Sequence, residues 1–281
     1  MIFAGYALPK SIRLNIRRLY SRYKIKKRFA IDGKRVYTIL YYKIISERKI
    51  RMGNNVYEAI KLDETAWRIE ENGVRSFLFT GTDKALLVDS GFGSGDLKKA
   101  VAGLTDLPVT LVNTHADGDH TGCNKQFGKA CMHPAEFDRY SQNSGDASTA
   151  EPLWEGDIIE LGGRRFEVIL IPGHTPGSIA LLDEKNRIII GGDSVQAGMI
   201  YMSGPGREIN AYIHSVKKLA RIRRRFDFIY PSHGPIPVDA GIIDALIDGA
   251  VKIRDGKIKG TEPPHETPAK LYDIGAAKFL Y

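Results

Sequence analysis

The sequence reads His115-Ala116-Asp117-Gly118-Asp119-His120 near the middle of the chain and offers there four side chains that bind metal ions. This segment directly follows the apolar run Val109-Thr110-Leu111-Val112, which is typical of a buried strand. A strand that ends in a glycine-containing loop presents polar side chains at a sheet edge, where a substrate reaches them. A solvated acidic turn would also collect Asp and Gly, but two histidines favour a metal site.

Three further candidate ligands, His174, Asp193 and His233, lie among glycines, prolines and serines later in the chain. Each comes shortly after a strand-like apolar run, and these runs are residues 166–171, 188–190 and 226–230. With the first segment, the pattern predicts four strand ends that converge on one site.

In order, spacing and flanking glycines, these residues resemble the signature of the metallo-β-lactamase-fold hydrolase superfamily, and its glyoxalase II-like members in particular. That signature is His-x-His-x-Asp-His, followed by a distant His, an Asp and a last His. The resemblance covers about residues 56–281 and implies an α/β fold, a four-layer αββα sandwich with the site at the sheet edges. Asp117 departs from it, because the signature has a second histidine at that position.

The resemblance also implies two divalent metal ions, for which we expect Zn²⁺ with Mn²⁺ or Fe²⁺ as alternatives. The first ion would be bound by His115, Asp117 and His174. The second would be bound by Asp119, His120 and His233, and Asp193 would bridge the two. Asp119 is then the candidate to orient the nucleophile or move a proton, and Tyr201 is a candidate oxyanion or substrate contact.

Asp117 changes the charge of such a site. Two divalent ions, three carboxylates and one hydroxide sum to zero, whereas a histidine in place of Asp117 would leave one positive charge, so the Lewis acidity of the metals is expected to fall. Hard oxygen ligands also favour Mn²⁺ or Fe²⁺. Three outcomes are open for the substitution: a working dinuclear site, a site filled mainly at the second position, and a site that binds metal poorly or does no hydrolysis.

The formal net charge of +8 is concentrated at the N-terminus. Residues 1–51 contain 15 Lys and Arg against two acids, a net of +13, so the remaining residues have 26 against 31, a net of −5. This basic extension has three interpretations: an arm for nucleic acid or an anionic membrane surface, a weakly ordered tail, or a segment upstream of a natural start at Met52. The catalytic domain is predicted over residues 52–281. With no apolar run long enough for a signal peptide or a membrane span, we expect a cytoplasmic protein.

Elsewhere the sequence predicts short strands alternating with helices, which fits two packed sheets with helices outside. Helices are predicted over residues 208–225 and 238–254, and the polar segment 141–149 is predicted to be a mobile loop beside the site. We interpret Asp89 as a cap for backbone N–H groups and Cys123 as a small core residue. Two cysteines imply no disulfide framework.

The leading functional hypothesis is a metallo-hydrolase that uses a metal-bound hydroxide on a small ester, thioester, lactone or β-lactam. One alternative is a diiron-type oxidoreductase of the same fold, since such proteins have an acid where the second histidine usually stands. Another is a nucleic-acid-binding or membrane-binding protein with a weakly active domain. The sequence leaves the oligomeric state open.

Overall fold

A computed structural model describes residues 26–32, 35–41, 49–52, 56–144, 146–264 and 266–281. The chain divides into two compact units, residues 1–48 and 49–281. In the first unit, β1 (Lys26–Asp32) pairs antiparallel with β2 (Arg35–Tyr41). Much of the basic extension predicted over residues 1–51 lies outside the described residues, so its role as an arm or tail stays a prediction.

The second unit starts with an eight-stranded sheet in the order β10-β9-β8-β7-β6-β5-β4-β3. Neighbours from β3 to β7 are antiparallel, and those from β7 to β10 are parallel. The strands are β3 (Lys49–Met52), β4 (Tyr57–Asp63), β5 (Ala66–Glu71), β6 (Val74–Thr80), β7 (Ala85–Val88), β8 (Val109–Val112), β9 (Ala130–Met132) and β10 (Ala150–Pro152).

A second sheet has six strands in the order β11-β12-β13-β14-β16-β17, and a small third sheet has the order β15-β19-β18. In the second sheet all neighbours are antiparallel except β14 and β16. The strands are β11 (Ile158–Glu160), β12 (Arg165–Leu170), β13 (Ile179–Asp183), β14 (Ile188–Gly192), β15 (Met199–Tyr201), β16 (Phe228–Pro231), β17 (Val238–Asp239), β18 (Leu271–Asp273) and β19 (Lys278–Leu280).

In the part of the chain that the structure describes, six α-helices connect these strands: α1 (Leu97–Ala102), α2 (Gly118–Thr121), α3 (Asn124–Phe127), α4 (Phe137–Ser144), α5 (Ile209–Ile222) and α6 (Ile242–Arg254). Short 3₁₀ turns cover Pro134–Glu136, Ala147–Thr149 and Arg223–Arg225. Among the described residues, no helix has the length and apolar composition that crossing a bilayer requires.

Three apolar clusters show how the layers stack. The central cluster joins the two large sheets: Phe79 of β6 and Phe166 of β12 pack with ring centroids 4.9 Å apart. A second cluster packs α1 on the outer face of the first sheet, and a third packs α5 and α6 on the outer face of the second. Because each sheet is apolar on both faces, it needs a layer on either side. The predicted αββα sandwich is confirmed.

Two local predictions were wrong. The segment 141–149 was predicted to be a mobile loop, but α4 continues through Ser144 and a 3₁₀ turn covers Ala147–Thr149. The helix predicted from residue 238 begins only at Ile242, because Val238 pairs with Ile229 as part of β17. In both places neighbouring structure overrides the local pattern.

Candidate active site

All the candidate metal ligands follow strand ends at one edge of the sandwich. The loop after β8 contains His115, and those after β12, β14 and β16 contain His174, Asp193 and His233. Because β12, β14 and β16 run in the same direction, their carboxyl ends meet at one sheet edge. The parallel pairing of β7 with β8 places Asp89 beside the loop that contains His115.

One group of ligand atoms consists of His115, Asp117 and His174. The two Nε2 atoms of His115 and His174 are 3.2 Å apart, and Oδ2 of Asp117 lies 3.6 Å from the first and 3.4 Å from the second. Two ligand atoms bound to one tetrahedral metal ion are separated by about 3.3–3.6 Å. This near-equilateral triangle therefore fits three ligands of a single ion.

A second group consists of Asp119, His120 and His233. Oδ2 of Asp119 lies 3.6 Å from Nε2 of His120 and 3.2 Å from Nε2 of His233. His120 is fully buried, whereas His233 and Asp119 are about one quarter exposed. This group also fits a divalent metal ion, and it is the more accessible of the two.

Asp193 lies between the two groups. Its Oδ1 is 3.5 Å from Nε2 of His120, and its Oδ2 is 3.4 Å from Nε2 of His233 and 3.9 Å from Nε2 of His174. Neither Nε2 of His120 nor Oδ1 of Asp193 has a hydrogen-bond partner among the described residues, although both atoms are buried. Since buried polar atoms are nearly always paired, these atoms fit a site built for a metal ion.

All four histidines turn Nε2 towards the site because Nδ1 is engaged elsewhere. Nδ1 of His174 bonds the carbonyl of Tyr201 at 2.8 Å, and Nδ1 of His233 bonds the carbonyl of Gly73 at 2.9 Å. Nδ1 of His115 lies 3.0 Å from Oγ1 of Thr114. Such contacts select the ring nitrogen that is left for a metal and fix the orientation of the ring.

Asp89 provides the fourth of these contacts. Its Oδ2 lies 2.8 Å from Nδ1 of His120, and its Oδ1 accepts the backbone N–H of Thr114 at 2.7 Å. The expected cap for a backbone N–H is therefore present, but Asp89 also orients a candidate ligand, which the sequence did not indicate. The signal available in the sequence was a carboxylate at the end of a strand, next to Ser90 and Gly91.

Glu136 joins two of the ligand loops. This fully buried carboxylate accepts the backbone N–H of Ala116 at 2.8 Å and that of Gly177 at 2.7 Å. Ala116 lies between two ligands of the first group, and Gly177 follows His174 by three residues. Glu136 therefore fixes the spacing of the loops that form the first group, a role that no sequence pattern predicted.

A sequence model of the metallo-beta-lactamase superfamily matches residues 69–259, and this range contains every candidate ligand. The chain belongs to the metallo-beta-lactamase superfamily. It is 25% identical to the acyl-coenzyme A thioesterase MBLAC2 of Homo sapiens over 224 residues, which cover 65% of this chain and 75% of that protein. It is also 26% identical to the hydroxyacylglutathione hydrolase GloC of Haemophilus influenzae over 153 residues, which cover 47% and 68%.

Solved structures with the same fold include a metallo-beta-lactamase from Pontibacter korlensis. Its TM-score is 0.59 at 18% identity, and the match covers 69% of this chain and 99% of that chain. At this level of identity the likeness shows the fold alone. The superfamily resemblance read from the sequence is confirmed.

Two other predictions, one for Tyr201 and one for Cys123, have different outcomes. The backbone carbonyl of Tyr201 bonds His174, and the residue is 42% exposed, so a substrate contact by its side chain stays a prediction. Cys123 is buried, with Sγ 3.5 Å from the hydroxyl of Tyr57, as expected of a core residue.

Burial and ion pairing act in opposite directions on the pKa values of the candidate ligand side chains. Burial lowers the pKa of His120, but Asp89 and Asp193 outweigh it and the net pKa is raised well above 6.5. Burial likewise lowers the pKa of His233, which Asp119 and Asp193 raise overall. Burial raises the pKa of Asp193, but His120 and His233 reverse this and hold it far below its usual range.

These shifts predict how the stability of the metal-free protein depends on pH. His120 and His233 have raised pKa values in the folded state, so their contribution to the stability of the fold is fully present below 6.5, their pKa in the unfolded chain. It is lost as the pH rises through the folded values. Urea unfolding in a chelator is therefore expected to show lower stability at pH 9 than at pH 6.5.

The metal-loaded protein is the matched comparison for that experiment. A metal ion binds neutral imidazole and releases its protons, so metal affinity rises with pH. The added stability on loading should accordingly be larger at pH 9 than at pH 6.5. If the stability of the metal-free protein stayed constant or rose between pH 6.5 and pH 9, the raised pKa values of His120 and His233 would be contradicted.

Proposed function

We propose that this protein is a metal-dependent hydrolase of a small thioester. The observation that supports it most strongly is the pair of ligand groups on either side of Asp193, each with the spacing of one tetrahedral ion. The two relatives named above are hydrolases of thioesters by name, which narrows the substrate from the esters, lactones and β-lactams that the fold also serves.

The proposed division of the ligands between two ions is the one that the sequence predicts. His115, Asp117 and His174 would hold one ion, and Asp119, His120 and His233 the other, with Asp193 in contact with both. Zn²⁺ is the first expectation because its ligand distances match the observed triangles. When bound, the ions supply a hydroxide nucleophile at neutral pH and polarise the carbonyl of the substrate.

Asp119 suits the role of orienting the attacking water and accepting its proton. Burial raises its pKa, but the hydrogen bond to His233 and the charge of His120 outweigh this, and the net pKa is lowered. Asp119 is thus ionised at neutral pH and accepts a proton rather than supplying one. A thioester needs no acid for its leaving group, because a thiol has a pKa of about 8.5 and departs as the thiolate.

The test begins with metal-free protein that is reloaded with Zn²⁺ and, separately, with Mn²⁺. The loaded protein is expected to hydrolyse an acyl-coenzyme A or a hydroxyacylglutathione, and to hydrolyse a matched oxygen ester at least about tenfold more slowly, since an alkoxide leaves poorly without an acid. A cephalosporin serves as the amide comparison. Metal-loaded protein that turns over neither thioester, or metal-free protein as active as loaded protein, would overturn the proposal.

A further inference from the structure

Two arginines from separate elements contact the carboxylate of Asp117. Nε of Arg139, on α4, donates to Oδ1 of Asp117 at 2.5 Å. Nη2 of Arg207, which precedes α5, donates to Oδ2 at 2.6 Å. The second oxygen is also the one that faces His115 and His174, at 3.6 and 3.4 Å. Asp117 thus has a guanidinium on each oxygen and the two imidazoles beside one of them.

The three charged groups lie in a region of restricted solvent access. The side chain of Arg207 is 9% exposed, and those of Asp117 and Arg139 are 16% and 28% exposed. Within the described part of the chain, the buried Nε of Arg207 has no hydrogen-bond partner, so the interaction with Asp117 dominates this guanidinium. One negative and two positive charges leave the group of three with a net charge of +1.

The backbone around Asp117 is held independently of Arg207. One face of the helical segment around α4 consists of Glu136, Arg139 and Asn143, which follow one another at intervals of three and four residues. Glu136 accepts the N–H of Ala116, and the amide of Asn143 donates to the carbonyl of Ala116 at 2.6 Å. Because this face fixes the position of Asp117, the contribution of Arg207 is mainly its charge.

We propose that Arg207, with Arg139, is a positioning residue that offsets the negative charge which Asp117 brings to the first ligand group. The sum of zero for two divalent ions, three carboxylates and one hydroxide, which the sequence predicts, omits these two guanidinium groups. When they are included, the negative charge of the Asp117 carboxylate is compensated, and the expected fall in the Lewis acidity of the metals is offset. This inference rests on the proposed function in that it takes Asp117 as a metal ligand.

The test uses Co²⁺ as a spectroscopic probe, without substrate. Wild-type, R207M and R207K proteins are stripped of metal, loaded with Co²⁺ and titrated with base while the visible absorption is recorded. Loss of a nearby positive charge disfavours deprotonation at the metal, so the midpoint in R207M should rise by about one pH unit or more. R207K keeps the charge and should titrate close to wild type.

R187M is the matched control, because Arg187 pairs with Asp227 in an exposed ion pair outside the site. Its midpoint should equal that of wild type. A wild-type midpoint in R207M, an R207K midpoint as high as that of R207M, or failure of R207M to bind Co²⁺ would each overturn the inference. Absence of thioester turnover would overturn the proposed function instead, since the titration contains no substrate.

Discussion

D193N protein is expected to hydrolyse the thioester at least about 10³-fold more slowly than wild type and to bind about half as much metal. Asp193 is the one described residue whose carboxylate lies within 4 Å of ligands in both groups, at His120, His233 and His174. An amide has one oxygen acceptor and no charge, so the side chain that D193N introduces would serve one ion at most. Because the pKa of Asp193 lies far below its usual range, the substitution removes a charge at every assay pH.

The control for D193N is D227N, the same chemical change in the exposed ion pair with Arg187. D227N should keep wild-type turnover and metal content, as measured by steady-state kinetics and elemental analysis. Circular dichroism of both variants shows whether the fold is kept. Full metal content and near-normal turnover in D193N would mean that Asp193 does not join the two groups.

The convergence of the candidate ligands could be predicted from the sequence because each of them lies in a turn close behind an apolar strand. For the predicted strand runs before His174, Asp193 and His233, the observed ends are Leu170, Gly192 and Pro231, within two residues of prediction. The local sequence pattern therefore identifies each strand end, and the pairing of the strands in the sheet brings these ends together.

The residues that orient the ligands could not be predicted in this way. Asp89 lies 31 residues from His120, and Glu136 lies 20 residues from Ala116 and 41 from Gly177. These contacts exist only once the loops converge, and an isolated Asp or Glu at a turn has many other roles. The sequence therefore predicted which side chains come together at the candidate metal site, but not what holds them in place.

The charge of the site could not be predicted for the same reason, because its ion pairs also join residues that are far apart in the sequence. Arg139 and Arg207 lie 22 and 90 residues from Asp117, and neither belongs to a motif. Counting ligands alone predicted a less positive site. The observed ion pairs show that Arg139 and Arg207 both contact the carboxylate that stands in place of the signature histidine.

Replacing Asp117 by His, the residue of the family signature, is therefore expected to damage this site. In D117H the guanidinium groups of Arg139 and Arg207 lose the carboxylate that accepts from both and face the imidazoles of His115 and His174. Removing one partner of a buried ion pair costs about 3–5 kcal/mol, and partial exposure here reduces this to about 2 kcal/mol. Urea unfolding of metal-free D117H should show this loss, and its metal affinity should fall.

The triple variant D117H/R139M/R207M tests the cause of that loss. With both cations removed, the histidine has no like-charged neighbours from these positions, and stability and metal affinity should recover most of the way to wild type. The double variant R139M/R207M separates the two effects, since it leaves Asp117 ionised without either partner. If D117H alone were as stable as wild type and bound metal as tightly, Asp117 would be a tolerated substitution rather than one coupled to Arg139 and Arg207.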